Sequence, residues 1–86
     1  MSLAASAFAY SANVGNPLAK LVLIGLADFA DEEGALTLPP KDQICAFAEC
    51  SIDELKEAMG FLFENGFYHR ISSGYDIQIK LSAGEV

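Results

Sequence analysis

The residues with chemical potential fall into three groups: two cysteines with one histidine, a run of carboxylates, and a charged helix face. Cys45, Cys50 and His69 are the chain's whole stock of thiols and imidazole. No Cys-x-x-Cys occurs, and this set is too small to close a zinc site. A lone histidine without a paired serine or cysteine motif makes no nucleophilic triad. Nothing resembles a nucleophile elbow, a phosphate loop or a dinucleotide fingerprint. The residues therefore predict no catalytic, cofactor-binding or metal-binding centre and no enzymatic activity. Cys45 and Cys50 are expected to be reduced and largely buried, and His69 to pack. Asp28, Asp31, Glu32 and Glu33 crowd ahead of Gly34. Their spacing lacks the alternating ligands of a calcium loop, so they are expected to form a solvated acidic turn.

Charge sets further bounds. Twelve acidic residues against five basic ones leave the 86-residue chain at −7. That balance opposes attraction to phosphate and to anionic membrane. The cations, Lys20, Lys41, Lys56, Arg70 and Lys80, are scattered in sequence. Apolar residues make up 52%, which excludes compositional disorder and is high for so small a domain. Some of that surface is expected to be covered by a second subunit or another part of a longer chain. The longest apolar run, Leu21 to Ala27, is too short to cross a bilayer, and no basic leader precedes it. The expectation is a cytoplasmic protein with no membrane partner.

The elements that position these groups follow from capping and periodicity. Residues 1–15 form an N-terminal arm, in which 4–14 suit either a short helix or a strand packed on the domain. Asn16-Pro17 opens a helix, with Asn as cap and Pro in the first turn. Leu18, Leu21, Val22, Gly25, Leu26 and Phe29 recur at helical spacing to about Ala30, with apolar residues on the other side too. A helix apolar nearly all round is expected to be buried nearly all round. Leu36-Thr37-Leu38 reads as a short strand. A second helix is expected over 40–48, with Ile44, Cys45 and Ala48 facing inward. Ser51 and Glu54 form a capping box that opens a third helix over 51–65. Its expected buried stripe is Ile52, Leu55, Ala58, Met59 and Leu62, and Gly66 supplies a left-handed stop. Period-two alternation over 67–81 with a turn at Ser73-Gly74 predicts a hairpin. Residues 82–86 read as a tail. The order describes one domain, mainly α with a small β-hairpin: a winged helix-turn-helix with a three-helix core and a C-terminal wing.

Asn16-Pro17-Leu18-Ala19-Lys20-Leu21-Val22-Leu23-Ile24-Gly25-Leu26-Ala27-Asp28 resembles the first helix of phage- and prophage-type helix-turn-helix domains. These occur at the front of phage replication proteins and in small transcriptional regulators. Leu38-Pro39 sits where that family has a strand and a proline. Ser51, Leu55, Ala58, Leu62 and Gly66 match its recognition-helix pattern, with Met59 in place of Leu. The resemblance spans about residues 13–71. It implies a non-enzymatic DNA-binding domain whose third helix enters the major groove, with helix-turn-helix about 40–65 and wing about 67–81.

At the positions that would meet DNA the residues change character. Asp53 and Glu54 stand where the family has Arg and Thr, Glu57 where it has a second Arg, and Lys56 keeps one cation. Periodicity places Asp53, Lys56, Glu57, Gly60, Phe61 and Glu64 on the side away from the core, with Ser51 at its head. The face then carries three carboxylates against one ammonium, which repels phosphate. Phe61 either folds back onto the core or anchors a protein interface. Arg70, Ser73 and Lys80 are the candidate wing contacts, with Arg70 and Lys80 neighbours across the hairpin. Glu49 occupies the turn position where a left-handed backbone favours glycine. Two functions remain open: a DNA-binding domain of the phage type, or a winged helix turned to protein contacts through homodimerisation or a partner.

Overall fold

The computed structural model describes residues 3–37, 39–71 and 76–80. Helix α1 (Leu3–Ser11) is followed by α2 (Pro17–Phe29), strand β1 (Ala35–Leu36), α3 (Lys41–Ala48), α4 (Ile52–Glu64), β2 (Tyr68–Arg70) and β3 (Ile77–Ile79). The molecule is mainly helical with a small antiparallel sheet in the order β1-β3-β2.

Local chemistry starts and stops the helices. The Asn16 side-chain oxygen accepts from the Ala19 N–H at 3.0 Å, ahead of Pro17. The Ser51 hydroxyl accepts from the Glu54 N–H at 3.1 Å, and Glu54 accepts from the Ser51 N–H at 2.9 Å, which completes the capping box. At the other end of α4, Gly66 takes φ +79°. Its N–H donates to the Phe63 carbonyl, and the Phe67 N–H to that of Leu62, a pairing that satisfies the helix's last acceptors. Glu49 closes α3 at φ 54°, ψ 49°, in the left-handed region.

Helix α2 packs on α1, α3 and α4, and Val22, Leu23 and Leu26 are completely buried. It is not buried all round as its composition led us to expect: Leu21, Asp28 and Phe29 remain exposed. Three neighbouring helices leave one strip of its surface uncovered. The N-terminal arm resolves as a helix, in which Ala5 and Ala9 present no side-chain bulk and let α1 seat closely on α2.

The sheet differs from a two-stranded hairpin because β3 is central. Tyr68 pairs with Ile79, His69 with Gln78 and Arg70 with Ile77. On the other side of β3, Ala35 pairs with Gln78 and Leu36 with Ile77. The acidic turn makes this third strand possible. Asp31 accepts from the N–H groups of Glu33 and Ala35 at 2.8 and 2.9 Å, and Gly34, at φ +86°, offers its carbonyl to the Ile79 N–H. The strand begins at Ala35 rather than Leu36, and Leu38, the Ser73-Gly74 turn and the 82–86 tail lie outside the described residues. No helix among the described residues is long and apolar enough to cross a membrane.

Candidate functional site

Helix α4 turns by about 100° per residue, and the structure divides its surface into four strips. Leu55, Ala58 and Leu62 are buried. Asp53, Glu57 and Glu64 form an exposed acidic ridge. On one flank, Phe61 is half-buried and packs against the core, so it is not part of the outward face. It lies nearly opposite Ile52 on the wheel, where the body of the domain covers it. On the other flank, Ile52, Lys56, Met59, Gly60 and Phe63 border a groove of about 770 Å³.

That groove has an apolar floor from Leu26, Ile44, Leu55 and Ile77. Its far wall is Lys41 and Asp42 at the start of α3, with Tyr68 and Arg70 of β2. Three of the five cations therefore border one groove, against one carboxylate, in a chain that is otherwise strongly acidic. Ile52 is 41% exposed and Phe63 50%. Ile52 was expected in the buried stripe; the stripe drawn from sequence was too wide for one core contact, and its edge opens on the groove. A Cβ placed on Gly60 would meet nothing within 4 Å. Glycine costs an exposed helix about 0.8–1.0 kcal/mol relative to alanine, and no internal contact here requires it.

The groove is stiffened from beneath. The Tyr68 hydroxyl donates to the Met59 carbonyl at 3.1 Å, and its ring packs on Phe63 with centroids 5.6 Å apart. Burial raises the Tyr68 phenol above its ordinary range, with the Arg70 charge pulling weakly the other way.

Ser51 is exposed, but its hydroxyl is engaged in the capping box. Lys56 and Gly60 belong to the groove as well as to the outer face. Arg70 and Lys80 are not cross-strand neighbours: Arg70 stands opposite Ile77, and the Lys80 N–H bonds the Phe67 carbonyl. Ser73 lies outside the described residues. Lys20 is half-buried at the end of α1, donating to the Tyr10 and Ala12 carbonyls at 2.8 and 3.0 Å. Cys45 and Cys50 are free thiols, but half-buried rather than buried as expected. Burial pushes the Cys50 thiol up, and the neighbouring Cys45 adds to the shift. His69 is half-buried, and its Nδ1 has no hydrogen-bond partner.

The groove itself escaped the sequence reading. Its one signal was Ile52, Met59 and Phe63 at helical spacing, interleaved with Lys56. No protein-family model matches the chain, and no curated protein or solved structure matches it.

Proposed function

We propose that this chain is a non-enzymatic winged-helix domain that acts in the cytoplasm as a protein-interaction module. The winged-helix reading is supported by the order α2-β1-α3-α4-β2-β3, with β1 edging β3, and by the phage-type resemblance of its first long helix. The observation that carries the choice of partner is the ridge of Asp53, Glu57 and Glu64 on the strip of α4 that a DNA reader would turn to the major groove. Carboxylates there meet phosphate with repulsion where the family supplies attraction. Exposed Ile52 and Phe63 beside it suit a desolvated protein contact.

A second reading has its own support. Lys41, Lys56 and Arg70 around one groove are placed as phosphate contacts along a duplex would be. Fluorescence anisotropy with random duplex DNA at two salt concentrations decides between them. The protein reading expects dissociation constants weaker than about 100 µM at physiological salt, the weak end of non-specific binding. The variant carrying Asp53→Arg and Glu57→Arg should gain at least about tenfold in DNA affinity. Sub-micromolar binding by the unmodified chain, lost steeply as salt rises, would establish the DNA reading instead.

A further inference from the structure

We propose that the groove beside α4 is occupied by α4 of a second copy of this chain, in a two-fold symmetric dimer. The inference rests on the protein-interaction reading and specifies the partner and the geometry.

The groove asks for an occupant with an apolar stripe edged by carboxylates. Its floor is aliphatic, its walls carry Lys41, Lys56 and Arg70 against Asp42, and Phe63 and Ile52 stand half out of it. Helix α4 has that chemistry itself. Ile52 and Phe63 form its exposed apolar stripe, and Asp53, Glu57 and Glu64 form the ridge next to it. From Ile52 to Phe63 the helix runs for about 16 Å at 1.5 Å per residue, long enough for a helix laid against a groove. Gly60 sits within this stretch with open space above its backbone, where a second helix can approach closely.

Charge selects the direction. Two α4 helices running antiparallel about a two-fold axis would set ridge against ridge. Running parallel, each places its ridge against the far wall of the other's groove, where Lys41 and Arg70 stand. An isologous contact of this kind makes each complementary pair twice. Lys56 and Arg70 are both exposed, and neither has a side-chain ion pair among the described residues.

The test uses the intact chain in sedimentation equilibrium at physiological salt. The mass should rise with concentration from 9.2 kDa to twice that value. Gly60→Leu should keep the fold, because leucine is the better helix former and a Cβ at this position meets nothing within 4 Å. It should still weaken dimerisation at least about tenfold by filling the contact. The decisive arm reverses charge. Lys56→Glu with Arg70→Glu makes the groove wall mainly acidic, and Glu57→Lys with Glu64→Lys makes the ridge mainly basic. Neither double variant should dimerise alone, and an equimolar mixture should recover the dimer. A monomer at every concentration, a dimer indifferent to Gly60→Leu, or a mixture that stays monomeric would each overturn the proposal. Those results would leave the DNA measurement, and with it the broader protein-interaction reading, to stand or fall separately.

Discussion

The ammonium of Lys20, in the first turn of α2, donates a hydrogen bond to the main-chain oxygen of Tyr10 in the last turn of α1, at 2.8 Å. A second bond, to the Ala12 oxygen at 3.0 Å, continues it past the helix end. A cation here answers carbonyls that no intrahelical N–H satisfies and meets the negative end of the α1 dipole. Lys20→Met should keep the aliphatic stem and lose both bonds. Urea unfolding should show a loss of about 1–2 kcal/mol, the scale of a charge-assisted hydrogen bond. An unchanged midpoint would mean that α1 is held by packing alone.

Glu49 carries the one positive φ among the described non-glycine residues. A left-handed backbone costs a residue with a Cβ about 1–2 kcal/mol. Glycine removes that cost but adds freedom to the unfolded chain. Glu49→Gly should therefore stabilise the domain by roughly 0.5–1 kcal/mol, seen as a higher urea midpoint with unchanged slope.

At Gly25 the opposite holds. An added Cβ would lie 3.3 Å from Phe47 Cδ2 and 3.5 Å from Ile44 Cγ2, where α2 crosses α3. Gly25→Leu should force the two helices apart. Overpacking costs about 1–3 kcal/mol, more than the helix propensity that leucine adds. Thermal melting should show a clear loss of stability here, whereas Gly60→Leu, with nothing within 4 Å of an added Cβ, should keep the fold.

Two of the described groups should make stability fall at high pH. Burial raises the Tyr68 phenol above its ordinary 10.0 and the Cys50 thiol above its ordinary 9.0. Each is favoured in its neutral form by the fold. The stability they contribute is fully present below those ordinary values and is lost as pH rises through the higher folded ones. Urea midpoints should thus decline from about pH 9 upward. Tyr68→Phe should flatten the part of the decline above pH 10, while losing the bond to Met59 at neutral pH.

The raised thiol has a kinetic consequence. The thiolate is the reactive form, so Cys50 should be alkylated slowly near neutral pH despite its partial exposure. Iodoacetamide labelling followed by peptide mass mapping should show its rate still climbing above pH 9, its ordinary value. Rapid labelling at neutral pH would contradict the burial argument.

Much of the framework is legible in the sequence alone. Asn16-Pro17, the Ser51–Glu54 box and Gly66 are local signals: each acts through hydrogen bonds to main-chain groups within a few residues, so their positions in sequence determine where α2 and α4 start and where α4 ends. The alternation after Phe67 located two strands by the same local logic. Periodicity also separated the acidic ridge of Asp53, Glu57 and Glu64 from the core-facing Leu55, Ala58 and Leu62. The tertiary structure decided what each flank of α4 meets. Phe61 and Phe63 are both aromatic and two residues apart, yet one packs on the core and the other stands half out beside a groove. That difference depends on β2 and α3, brought alongside by strand pairing and helix packing that no local pattern encodes. The same closure gathered Lys41, Lys56 and Arg70 around one groove, far apart in sequence and close in space, and inserted β3 between β1 and β2. Local hydrogen bonding determined the elements; only their packing could decide which surfaces were left uncovered.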